Sequence, residues 1–152
     1  MTTESFPARK DLVGLGVTCA ALSVRKAARA VTQVYDNAMA PSGIGIAQFG
    51  LMVAIEFRGS ESRAELARVL VMDRTTVARN LKLLERDGFI ETVPGNDRRT
   101  RAVRLTQAGR DALTRALPYW REAQGRIVDF VGDGEWQTTH KSLRALESLY
   151  EP

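Results

Sequence analysis

Between Ser62 and Thr106 the apolar residues pass from helical to strand-like spacing, and the capping and stop residues around that passage leave few folds open. Ser62 and Glu65 stand at capping-box spacing and open a helix that ends near Leu70. Asp73 is placed to cap a second helix over 74–87, and Gly88 supplies a left-handed stop. Along this second helix Val77, Leu81 and Leu84 stack on one side, while Thr75, Arg79, Lys82 and Arg86 project roughly opposite. Residues 89–93 and 102–106 then read as two short strands, joined through Pro94, Gly95, Asn96 and an arginine-rich tip. The predicted unit is helix, tight turn, helix and a hairpin with an extended loop. One face of its second helix packs and the other offers hydrogen-bond donors.

Long helical patterns flank this unit. Residues 1–10 have no apolar periodicity and are expected to form a mobile arm. From 11 to 40, Val17, Ala20, Val24, Ala27, Val31 and Val34 recur at three- and four-residue steps, predicting one long amphipathic helix that Pro41, Ser42 and Gly43 end. A shorter helix over 46–57 is apolar almost all round and is expected to be buried. A second long helix runs from Gln107 to about Val131, where Gly132, Asp133 and Gly134 break it. A last helix carries Trp136, His140, Leu143, Leu146, Leu149 and Tyr150. The predicted fold is mainly α with a small β-hairpin wing. Residues 46–106 are predicted to form a winged helix-turn-helix, with 11–45 and 107–152 as the helical region that flanks it.

A hydrophobic content of 44% is ample for a packed core. No signal-peptide pattern is present, and the longest apolar-rich run is too short to span about 30 Å of bilayer, so a cytoplasmic location without membrane contact is expected. One cysteine, Cys19, and one histidine, His140, leave no set of zinc ligands and little for nucleophilic or cofactor chemistry, so neither a metal, a cofactor nor an enzyme is expected. The net charge of +4 is unevenly spread: residues 58–110 hold twelve Arg or Lys against seven Asp or Glu. Local rather than total charge is what neutralises phosphates, although an arginine-rich solvated surface carries the same signature.

A second helix of this kind fits the DNA major groove with its N-terminal half, where arginine bonds guanine edges and threonine methyls touch thymine. Thr75, Thr76 and Arg79 are therefore the candidate base readers, and Arg74, Lys82 and Arg86 the candidate phosphate contacts. Arg98, Arg99, Arg101 and Arg104 crowd one hairpin, the residue type favoured by a narrow minor groove.

The segments "AELARVL", "DRTTVARNLKLLERDGFI" and "DRRTRAVRLTQAG" together resemble the winged helix of the MarR family of bacterial transcriptional regulators, down to Asp-x-Arg in the wing and Leu-Thr-x-x-Gly at the following helix start. The order of flanking helices is similar too. The resemblance implies that Arg99 reaches the minor groove, that Asp97 orients it, and that Arg98 and Arg101 contact phosphates. It implies a homodimer built from the terminal helices on double-stranded DNA with a pseudo-palindromic operator, in the usual sense a repressor. It also implies release by a small aromatic or lipophilic effector, for which Phe49, Met52, Phe57, Tyr119 and Trp120 are candidate pocket residues, although apolar residues at helical spacing are more often core.

A peroxide-sensing branch of the family keeps a reactive thiol on the first helix, which makes Cys19 a candidate redox site. Aligned on "RAVTQVY", that thiol falls at Ala21 instead; Tyr35 is retained, but Ile46 takes the place of a second tyrosine and no resolving cysteine exists. A packing cysteine is the other reading. The remaining alternative for the chain is a winged helix that docks onto a protein, which has no need of wing arginines.

Overall fold

A computed structural model describes residues 6, 8–58, 61–95 and 101–149. The chain divides between Val34 and Tyr35 into two units.

In the first unit, α1 (Arg9–Thr18) is followed by the start of α2 (Ala20–Met39). The single helix expected from 11 to 40 is therefore two. Cys19 leaves the helical region at φ −66°, ψ 111°, after a turn in which Gly14 and Gly16 weaken helix preference. Arg9 and Lys10, assigned to the arm, are already helical; the other arm residues, apart from Phe6 and Ala8, lie outside the described residues. Leu12, Val13, Leu15, Val17, Leu22 and Val24 are all exposed.

The second unit holds the core. A 3-10 turn (Ala40–Ser42) and left-handed Gly43 (φ 80°) lead to α3 (Ile46–Arg58), whose first N–H is capped by Asp36 Oδ1 at 2.8 Å. Only one side of α3 is buried, through Phe49, Leu51, Met52 and Ile55, because it packs against the helices over 63–69, 74–86 and 107–131 and the strand over 101–105. Val53 and Phe57 face outward, contrary to burial all round. Next come α4 (Arg63–Val69) and α5 (Arg74–Arg86), joined by a tight turn. Val71 in that turn has φ 50°, a left-handed conformation that a β-branched side chain resists.

The hairpin strands are β2 (Ile90–Pro94) and β3 (Arg101–Leu105), each within a residue of the expected bounds. A third strand was not foreseen: β1 (Glu61–Ser62) pairs antiparallel with β3, Glu61 opposite Val103 and Ser62 opposite Ala102, giving the order β1-β3-β2. Two residues are too few to show a period of two. From Thr106 the chain enters α6 (Gln107–Val131), which tolerates Pro118 in its interior, and after Gly132 (φ 89°) it enters α7 (Asp133–Glu147). Gly132 alone makes the break; Asp133 and Gly134 already belong to α7. None of α7's residues is buried. Tyr150 lies outside the described residues.

Candidate nucleic-acid interface

Each helix of the two-helix unit starts on a side-chain cap. Ser62 Oγ accepts from Glu65 N at 3.2 Å, and Asp73 Oδ1 accepts from Thr76 N at 2.8 Å, which satisfies backbone donors that otherwise lack partners. Glu65 does not close the reciprocal half of a capping box; it binds Arg68 and Arg58 instead. The Asp73 carboxyl is held below the usual carboxylate range, chiefly by hydrogen bonding from Thr76.

With α5 anchored this way, Val77, Asn80, Leu81 and Leu84 turn inward, and Arg74, Thr75, Arg79, Lys82 and Arg86 are exposed. The division into packing and donor faces matches the sequence pattern, with two exceptions. Thr76 is half-buried, so it offers less of its side chain than Thr75. Asn80, a polar residue in the packed face, is accommodated because its amide donates to Thr76 O at 3.1 Å. Arg86 bonds Asp87 at 2.8 Å, so its charge is partly answered before any phosphate arrives.

At the wing, Arg101 is exposed and opposes Pro94, whereas Arg104 pairs across the hairpin with Glu91 at 2.8 Å. Arg104 therefore belongs to the hairpin's base rather than to a cationic tip. Asp97, Arg98 and Arg99 lie outside the described residues. The recognition helix and the wing are tied together: Thr92 Oγ1 donates to Glu85 at 2.9 Å.

The five candidate effector residues differ in their surroundings. Met52 is fully buried as core, Phe49 stacks on Trp120 with ring centroids 6.1 Å apart, and Phe57 is 89% exposed on the outer face of α3. Tyr119 is half-buried. Helical spacing brought Phe57 into that group, but the packed side of α3 runs through Ile55 and leaves Phe57 in solvent. A cavity of about 620 Å³ lies elsewhere, between Ile55, Glu56, Glu91, Arg104, Thr106 and Arg110, and contains none of the five. Its charges are matched within it, Arg104 by Glu91 and Arg110 by Glu56 at 3.6 Å.

Cys19 is a half-buried free thiol at the α1–α2 break. The Tyr35 hydroxyl donates to Gln124, and burial pushes its pKa up. His140 is exposed and stacks on Trp136 at 5.7 Å. Among the described residues no group of His, Cys, Asp and Glu is arranged to hold a metal, and no single helix is long and apolar enough to cross a membrane.

Two helices at a tight turn, the second with an exposed cationic face, braced by a three-stranded wing, define a winged helix-turn-helix protein. Comparison narrows the class. The model of the MarR family matches residues 42–100. The Mycobacterium tuberculosis transcriptional regulator MosR, solved in complex with DNA, superposes with a TM-score of 0.77 at 35% identity over 86% of this chain and 95% of that one. An uncharacterised HTH-type transcriptional regulator of Bacillus cereus is 33% identical over 91 residues, 60% of each chain. The transcriptional activatory protein BadR of Rhodopseudomonas palustris is 33% identical over 91 residues, 58% of this chain and 52% of its own. The match thus spans 60% and 52% of the lengths of these two curated relatives. The chain belongs to the MarR family of transcriptional regulators, as its sequence motifs implied.

Proposed function

We propose that the protein is a sequence-specific regulator of transcription that binds double-stranded DNA as a homodimer on a pseudo-palindromic operator, most simply as a repressor that excludes polymerase. The observation that carries the reading is the exposed face of α5, with Thr75 and Arg79 at its N-terminal half and Arg74 and Lys82 beside them. Arg79 is suited to a guanine edge and Thr75 to a thymine methyl, a bidentate arginine contact giving about 1–3 kcal/mol of discrimination. Thr76 is assigned a lesser share of the same readout. Arg74, Lys82, Arg86, Arg98 and Arg101 serve phosphates, and Arg99 serves the minor groove with Asp97 orienting it.

Residues 46–106 act as the DNA-binding region, and 11–45 with 107–152 as the dimerisation region. The exposed leucines Leu143 and Leu146 of α7, with Leu149 just beyond its end, support this division, because a helix with no buried residue in its own chain needs a partner surface. A cytoplasmic location is part of this reading, since a regulator of transcription acts where its DNA lies. A small aromatic or lipophilic effector is assigned to the dimer rather than to one chain, since Phe57 stands in solvent and the cavity beside Arg104 holds none of the candidate pocket residues.

Selection of bound duplexes from a randomised library, followed by affinity measurements over a salt series, tests the reading. A recovered two-fold consensus, bound at least tenfold more tightly than a shuffled duplex by wild type and not by Arg79→Ala, is the expected result. Recovery of no consensus, or full preference in the Arg79→Ala variant, overturns it.

A further inference from the structure

The end of the recognition helix is gripped by one residue. Thr106 Oγ1 donates to Gly88 O at 2.6 Å and accepts from Gly109 N at 3.1 Å, while Thr106 N donates to Phe89 O at 3.0 Å. Gly88, in the left-handed region at φ 74°, and Phe89 directly follow Asp87, the C-cap of α5; Thr106 is the N-cap of α6. A single threonine therefore holds the two carbonyls just beyond the end of α5 and starts α6.

Capping alone needs only an acceptor, which Asp and Asn provide at least as well as Thr. The donated half of the Thr106 hydroxyl serves Gly88, and a carboxylate cannot supply it. We infer that Thr106 is a positioning residue for base readout: by holding the Gly88 carbonyl it sets the angle at which α5 is presented to the major groove. The inference rests on the DNA-binding reading above.

Leverage gives the joint its consequence. The 13 residues of α5 span about 19 Å at about 1.5 Å per residue, so a tilt of about 3° at Gly88 moves the Thr75 end by about 1 Å. Direct hydrogen bonds are held within about 2.7–3.2 Å, so a displacement of that size breaks contacts to base edges. Long, flexible side chains on phosphates adapt to it. Loss of the joint therefore removes discrimination and leaves general affinity.

The test compares wild type with Thr106→Ser, Thr106→Asp and Thr106→Gly on the duplex that wild type selects from a randomised library and on a shuffled duplex, with circular dichroism reporting fold. Thr106→Ser keeps both bonds and is expected to hold the selected-to-shuffled ratio within threefold of wild type. Thr106→Asp keeps the cap and loses the donated bond; its ratio is expected to fall at least tenfold, while the salt slope on shuffled DNA stays as in wild type. Using the ratio cancels the added charge. A folded Thr106→Asp with the wild-type ratio overturns the inference and leaves the DNA-binding reading standing. If Thr106→Asp does not fold, Thr106→Gly, a tolerated cap without a hydroxyl, decides by the same criterion. A wild type that selects no consensus overturns the DNA-binding reading and the inference with it.

Discussion

Gly109 sits so close to the backbone of Phe89 that a Cβ built on it would lie 2.1 Å from the Phe89 carbonyl oxygen. In an open helix, Gly→Ala stabilises by about 0.5–1 kcal/mol. Here the clash is with backbone, which cannot rotate away, and it wins. Gly109→Ala is expected to destabilise by about 2–3 kcal/mol through forced separation of α6 from the end of α5. Urea unfolding followed by far-UV dichroism measures it, and an unchanged midpoint would mean that the two segments part freely.

Val71 offers the opposite case. Its left-handed backbone opposes its β-branched side chain, and at 43% exposure that side chain contributes little burial in return. Val71→Asn should relieve about 1 kcal/mol of strain and raise the melting temperature by a few degrees. A lower melting temperature in a calorimetric scan would show that the side chain's packing outweighs the strain.

Acid should weaken the module through its caps. Asp73 is held below its usual value by Thr76, and Glu65 by its hydrogen bond with Arg68 and then by the charges of Arg68 and Arg58. A carboxyl whose folded pKa is lowered adds stability that is complete above its unfolded pKa of about 4 and is lost as pH falls through the folded value. Urea midpoints should therefore decline as the pH drops below about 5. In Asp73→Asn, which still accepts at the cap but does not titrate, the decline should be shallower; an identical slope would remove Asp73 from the acid limb.

Exposed arginines on β3 should differ in their effect on DNA binding. Arg104 is neutralised by Glu91 directly across the hairpin, whereas Arg101 lies at the tip-side end of the strand. Arg101→Ala is expected to lower the slope of log affinity against log salt by about one, and Arg104→Ala by much less. Equal losses for both would place Arg104 on phosphate and break its assignment to the hairpin base.

Leu146 is 46% exposed on α7. If the helix meets its symmetry mate, each leucine counts twice, at about 1.5–3 kcal/mol per side chain. Leu146→Glu is expected to weaken dimerisation at least about a hundredfold, seen by sedimentation as monomer at micromolar concentration. A dimer that survives undiminished would move the interface off α7.

Much of this protein is local, and local features were legible. Asp73, Gly88 and Gly132 act through their own backbone neighbourhoods, so the bounds of α5 and the α6–α7 break followed from residue type. The exposed face of α5 followed from a helical period that the structure repeats. Family motifs supplied the winged helix as a whole.

What escaped needed the third dimension. β1 has too few residues to signal itself and exists because β3 offers it an edge. Phe57 shares a helix with Met52, yet only packing decided that one is core and the other is exposed. Arg104 reads as one more wing cation until the strand register sets Glu91 opposite. Thr106 reads as a cap, and its second bond, to a carbonyl 18 residues earlier, appears only once α5 has been folded back against the start of α6. Sequence by itself determined where α5 starts, stops and faces and where α6 gives way to α7, because those preferences are set within a turn or two of chain. The tertiary structure decided which charges are already paired and which residue holds the recognition helix, because those bonds join segments that the chain keeps apart.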